Sequence, residues 1–193
     1  MVAPLSRRQF FRLRLSDYFS EVKKKQRQNS DSTRKPYIRP PGALEDEILF
    51  LKQCTKCGAC IHSCPHKAIE PLGPSAGSAE HTPVISPEKT PCRWCVDMPC
   101  INACTDKALQ FKNKNAIRPI GKAEINHNQC LIAKGTFCDY CVKACPSSKA
   151  LSLKGRNLLF ADDACLGCGL CIHACPVGDK AIVIKPLSGS GNI

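Results

Sequence analysis

A chain of 193 residues with 43% hydrophobic and 23% charged residues can build one compact domain plus an arm. No stretch approaches the roughly 20 apolar residues of a transmembrane helix, so no spanning segment of that kind is written in it. The formal charge of +12 counts all sixteen cysteines as neutral, and aromatics, at 6%, are too sparse to dominate a core.

In chain order, residues 1–42 form a basic N-terminal arm, with eleven Lys or Arg against Asp17, Glu21 and Asp31. It opens Ser6-Arg7-Arg8-Gln9-Phe10-Phe11-Arg12, which looks like a twin-arginine export signature. Such a signal needs an apolar stretch of roughly 7–15 residues behind the arginines. Here Arg12, Arg14, Asp17, Glu21 and Lys23 interrupt it, so the expected location is cytoplasmic, at or near the inner membrane surface, with a periplasmic one as the alternative. Phe11, Leu15, Tyr18 or Phe19, and Val22 recur at helical spacing. Residues 7–27 thus read either as a basic amphipathic helix for a membrane surface or partner groove, or as a solvated leader. Residues 29–42 read as a polar, proline-rich linker, with the folded body at 43–187 and a tail at 188–193.

The body is organised by cysteine. The groups are Cys54, Cys57, Cys60 and Cys64; Cys92, Cys95, Cys100 and Cys104; Cys130, Cys138, Cys141 and Cys145; and Cys165, Cys168, Cys171 and Cys175. Proline follows the last cysteine of three groups, at Pro65, Pro146 and Pro176, while Thr105 follows the other. Cysteines three residues apart wrap a tight loop whose sulfurs face three corners of one cube. The fourth cysteine, expected on the first turn of a helix, faces a partner cube. Four groups of four then give four [4Fe–4S] clusters with no thiol left over. Zinc prefers two Cys-x-x-Cys pairs separated by a long insert, and a disulfide framework suits a smaller secreted chain. Four oxidised cubanes with their thiolates add a charge of about −8, which leaves a mildly acidic body behind the basic arm.

Each group ends in the same phrase. The third and fourth cysteines enclose Ile-His-Ser, Ile-Asn-Ala, Val-Lys-Ala and Ile-His-Ala. Lys67-Ala68-Ile69, Lys107-Ala108-Leu109, Lys149-Ala150-Leu151 and Lys180-Ala181-Ile182 follow. The repeated unit is a cluster loop, a helical turn and a short strand that lays an aliphatic side chain over the cluster. The fold class is therefore α+β and ferredoxin-like: a duplicated two-cluster repeat, rich in loops. His62 and His173 occupy equivalent positions, either tuning the clusters or lying on a helix surface beside them. Trp94 either shields a cube or packs the core. There is no dinucleotide fingerprint, P-loop or nucleophile–base set, and no nucleic-acid fold, so an electron carrier and not an enzyme is expected, with no nucleic-acid partner.

This pattern resembles the electron-transfer subunits of molybdenum oxidoreductases. That resemblance implies nested pairing: Cys54, Cys57 and Cys60 with Cys175; Cys165, Cys168 and Cys171 with Cys64; Cys92, Cys95 and Cys100 with Cys145; Cys130, Cys138 and Cys141 with Cys104. Spacing alone leaves sequential pairing open. A closer resemblance is to the NapG/MauM type of ferredoxin-type protein, over residues 39 to about 187. It is carried by Arg39-Pro-Pro-Gly-Ala43, Cys92-x-x-Cys95-x-x-x-Pro99-Cys100, Cys130-Leu131 with Cys138-Asp-Tyr-Cys141, and Asp163-Ala-Cys165-x-Gly167-Cys168-Gly169. It implies electron transfer between a quinol- or ferredoxin-linked donor, such as a membrane quinol dehydrogenase, and a redox enzyme such as a molybdenum oxidoreductase. The Ser-Arg-Arg start is also similar to the NapF type. That likeness implies the alternative role of a cytoplasmic maturation partner for an immature, nitrate-reductase-like catalytic subunit.

Overall fold

The computed structural model describes residues 37–113 and 117–187. The arm before Tyr37, with its arginine pair and candidate helix at 7–27, lies outside the described residues, as does the tail at 188–193.

The folded body begins earlier than the linker assignment at 29–42 allows. Ile38 is buried and bridges Ile85, and Pro40 and Pro41 are fully buried. The reason is Arg39, which is 4% exposed. Its guanidinium pairs with Glu47 and donates to Thr82 Oγ1 at 2.8 Å and to the Pro83 carbonyl at 2.9 Å. Its face lies 4.7 Å from the centre of the Phe50 ring. A buried charge persists only when paired and hydrogen-bonded, so Arg39 ties the lead-in to two other segments, the helix that starts at Glu47 and the Thr82–Pro83 turn into the hairpin.

Helix α1, Glu47–Gln53, starts where Asp46 accepts from the Leu49 N–H at 2.9 Å, with Glu47 in its first turn and Lys52 in its last. It buries Phe50 completely. The other α-helices among the described residues are single turns set inside the cysteine groups: α2 Ala59–His62, α3 Pro99–Asn102, α4 Tyr140–Ala144 and α5 Leu170–Ala174.

Three antiparallel strand pairs connect them. Strand β1, Ile69–Pro71, pairs with β2, Pro83–Ile85. Strand β3, Gly121–Ile125, pairs with β6, Ile182–Pro186, from Gly121 opposite Pro186 to Ile125 opposite Ile182. Strand β4, Leu151–Lys154, pairs with β5, Asn157–Phe160, through a two-residue turn whose Gly155 takes φ +62°.

The duplication expected from the sequence has a structural counterpart. In the first half, Ala43 bridges Leu109, joining the segment before group one to the segment after group two, and β1–β2 is the hairpin between those groups. In the second half, β3–β6 joins the segment before group three to the segment after group four, and β4–β5 is the inner hairpin. Each half has its own apolar core, with Phe50, Ile101 and Leu109 in one and Leu151, Ile172 and Ile182 in the other. Ile184 packs against both.

Candidate metal centre

The cysteine loops owe their shape to residues in the left-handed region. Two positions after the first cysteine of groups one, two and four stand Lys56 (φ +60°), Trp94 (φ +52°) and Gly167 (φ +72°). The residue before each following helix is Gly58 (φ +74°), Met98 (φ +40°) or Gly169 (φ +85°). Lysine, tryptophan and methionine rarely accept this conformation. Its recurrence marks a loop curled tightly enough to aim its sulfurs inward.

The third cysteine of each group (Cys60, Cys100, Cys141, Cys171) lies in the helix and is buried. The fourth does not open a helix, as the spacing suggested, but follows one. Cys145 and Cys175 are C-caps with ψ 122° and 124°, because a residue before proline is pushed out of the helical region. Backbone N–H groups of the segment that follows reach the fourth sulfurs of groups one and two: Ala68 to Cys64 Sγ at 3.4 Å and Leu109 to Cys104 Sγ at 3.3 Å. The repeated alanines and aliphatics are buried as expected, from Ala68 and Ile69 to Ala181 and Ile182.

All sixteen cysteines are free thiols, and the structure gathers them in four nests. Cys54, Cys57, Cys60 and Cys104 line a space of about 390 Å³, with Phe50 and Leu109 in its wall. Cys64, Cys92, Cys95 and Cys100 line one of about 350 Å³. Cys145, Cys165, Cys168 and Cys171 line one of about 330 Å³, walled by Ala123, Leu151 and Ile184. Cys130, Cys138 and Cys175 surround Cys141 closely enough that, after burial, their charges push its thiol up to about 11. Burial and neighbouring thiols likewise push Cys60 to about 11, and Cys100 and Cys171 to about 12. For Cys100 the neighbours are Cys92 and then Cys64.

The nested pairing is therefore corrected. Group one exchanges its fourth cysteine with group two, and group three with group four. Cys175 stands with Cys130, Cys138 and Cys141, not with Cys54; Cys64 stands with Cys92, not with Cys165. Cys145 and Cys104 are exchanged in the same way. The physical reason is the closing strand contact of each half. The Ala43–Leu109 bridge brings the end of group two back to group one, and β3–β6 does the same for groups three and four. Gln53 Nε2 donates to the Asp106 carbonyl and Thr55 Oγ1 to Asp106 Oδ2, both at 2.6 Å, fixing the Cys104 segment over the group-one loop.

The donor set decides what the nests suit. Among the described residues, no three His, Cys, Asp or Glu side chains form a group fit for a single metal ion. Four thiols spread around an apolar space fit a polynuclear iron–sulfur cluster, whose irons each take one thiolate, better than a compact tetrahedral zinc site.

Trp94 is half-buried against the first core beside Cys95. His62 is exposed. His173 Nε2 reaches the Pro87 carbonyl at 3.2 Å. The role of Arg39 escaped the sequence reading, although an arginine inside a Pro- and Gly-rich lead-in was a signal for it. No helix among the described residues is long and apolar enough to cross a membrane.

Comparison with known proteins agrees with this geometry. A family profile described as a 4Fe-4S dicluster domain matches residues 134–178, and one described as a 4Fe-4S binding domain matches residues 50–70. The dicluster match takes in cysteines of groups three and four together, as the nests do. The chain is 33% identical over 164 residues to the methylamine utilization ferredoxin-type protein MauM of Methylorubrum extorquens, covering 77% of this chain and 72% of that protein. It is 34% identical over 164 residues to the ferredoxin-type protein NapG of Haemophilus influenzae, covering 78% of this chain but only 59% of that protein. It is 26% identical over 147 residues to the ferredoxin-type protein NapF of Escherichia coli K12, covering 72% and 80%.

Proposed function

The chain belongs to the NapG/MauM ferredoxin-type family, and from its four thiol nests we propose that it is an electron carrier holding four [4Fe–4S] clusters. The ligand sets are Cys54, Cys57, Cys60 and Cys104; Cys64, Cys92, Cys95 and Cys100; Cys145, Cys165, Cys168 and Cys171; and Cys130, Cys138, Cys141 and Cys175. The observation that carries the reading is the division of all sixteen thiols into four sets of four with none left over. The clusters supply one-electron chemistry, and the protein supplies their spacing, burial and hydrogen bonding. Ala68 and Leu109 N–H groups directed at Cys64 and Cys104 favour the reduced, more negative state of the sites they serve. Aliphatic side chains such as Leu109 and Leu151 exclude water from the nests.

Its partners are redox proteins: a quinol- or ferredoxin-linked donor on one side and an oxidoreductase, such as a molybdenum enzyme, on the other. Anaerobically purified protein should hold about 16 irons and as many acid-labile sulfides per chain. Its visible absorption should bleach with a reductant and return on mixing with an oxidised partner. A colourless protein, or one carrying zinc in these nests, overturns the proposal.

A further inference from the structure

One cysteine loop of each half meets the other. The Cys92 N–H donates to the Cys168 carbonyl at 2.9 Å. Cys168, which lines the third nest, also packs with Leu170 in the core of the first half. Gly169 lies so near Pro87 that a Cβ there would stand 2.5 Å from the proline Cβ, and His173 reaches the carbonyl of the same proline. Cys92 belongs to the second nest and Cys168 to the third, so these two nests abut through a single peptide hydrogen bond.

Adjacency within each half follows from the exchange of fourth cysteines. Cys60 and Cys64, four positions apart around α2, serve the first and second nests. Cys141 and Cys145 serve the fourth and third in the same way. Burial runs along the same line. In the second and third nests Cys92, Cys100, Cys165, Cys168 and Cys171 are buried. In the first and fourth only Cys60 and Cys141 are, while Cys57 is exposed. Phe137 and Tyr140, 72% and 58% exposed, flank the fourth nest at Cys138 and Cys141.

We propose that the nests form one relay in the order first, second, third, fourth, with the halves joined at the Cys92–Cys168 contact. The outer ends, at Cys57 and at Cys138, are where electrons enter and leave. This rests on the four-cluster reading. Each step oxidises the cluster an electron leaves and reduces the next by the same electron, and no bond forms or breaks. His173 and Gly169 act as positioning residues that hold the inner nests together against Pro87.

Single-nest deletions in the full-length holoprotein test the order by electron paramagnetic resonance. Cys57→Ala and Cys138→Ala remove an outer nest, and Cys100→Ala and Cys168→Ala an inner one. After full photochemical reduction with a deazaflavin donor, neighbouring reduced clusters broaden and split one another's signals. The outer deletions should leave a continuous interacting set with no isolated signal. Each inner deletion should release one simple, unsplit signal, from the stranded outer cluster. Isolated signals in Cys57→Ala or Cys138→Ala overturn the order. That outcome decides the matter even where an inner variant sheds a second cluster. Wild-type iron far from about 16 per chain overturns the four-cluster reading instead, so the two failures are told apart.

Discussion

Replacing Cys104 by alanine tests the ligand sets one at a time. Cys104 lies in the second cysteine group, yet its thiol lines the same space as Cys54, Cys57 and Cys60. Its segment is held there by the Gln53 and Thr55 bonds to Asp106, and its sulfur accepts from the Leu109 N–H. Removing one of four thiolates leaves one iron of that cluster without a protein ligand, so this cluster should be the first lost under a chelator challenge. Iron should then settle near 12 per chain instead of about 16, with roughly a quarter of the visible absorption gone. The three thiols set free should be Cys54, Cys57 and Cys60. Alkylation followed by peptide mass spectrometry should label these and leave Cys130, Cys138 and Cys141 protected. Labelling of Cys130, Cys138 and Cys141 instead would restore the nested pairing and refute the argument from the closing strands.

Three further outcomes follow from the packing. Arg39→Ala strands Glu47 as a buried, unpaired carboxylate and removes the donors to Thr82 and Pro83, so it should cost about 3–5 kcal/mol in denaturant unfolding. Arg39→Lys should recover only part of this, because one ammonium cannot reproduce the fork. Gly167→Ala would put a Cβ 2.3 Å from the Gly121 nitrogen at φ +72°, and should cost the third nest its iron. Gly178→Ala, at φ +71° but facing open space, should cost only about 1–2 kcal/mol of backbone strain and leave the iron content intact. The Ser86 hydroxyl, with Lys89, holds Glu70 below its usual range of 4.5. A depressed carboxylate stabilises above its unfolded value and loses that contribution as pH falls through the folded one. In acid pH jumps followed by visible absorbance, the advantage of wild type over Glu70→Gln should therefore shrink below about pH 4.5.

The cysteine loops were legible in the sequence because ligation is local. Three thiols within seven to twelve residues, followed by a helical turn and a buried Ala-Ile or Ala-Leu, need only the chain's own geometry. Pairing was not legible, because all four groups offer a fourth cysteine at similar offsets and spacing says nothing about which nest receives it. That choice is made by contacts between residues far apart in sequence, Ala43 with Leu109 and Gly121 through Ile125 with Ile182 through Pro186. The short strands carrying them have no alternation long enough to reveal a partner. The start of the body was misplaced for a related reason. Arg39-Pro-Pro-Gly has the composition of a linker, and only the buried carboxylate of Glu47, eight residues on, turns it into part of the core.

Repetition in the sequence also overstated equivalence in space. His62 and His173 stand at matched positions in nearly identical phrases, Cys-Ile-His-Ser-Cys-Pro and Cys-Ile-His-Ala-Cys-Pro. Both rings lie on one-turn helices beside a nest. Only His173 has Pro87 in reach, because the group-four loop turns toward the other half and presents Gly169 and Cys168 there. A carbonyl only accepts, so His173 must carry its proton on Nε2 to make that bond. The residues at the left-handed loop positions also differ with what each copy faces. Group one carries Lys56 at its left-handed position, exposed, and group two carries Trp94, half-buried against the first core. Group four needs Gly167 there, with the Gly121 backbone where a Cβ would stand. The duplicated unit was thus specialised by what each copy faces. At Gly169 the copy whose loop meets the other half gave up a side chain for close approach to Pro87, and close approach is what a relay between buried clusters requires.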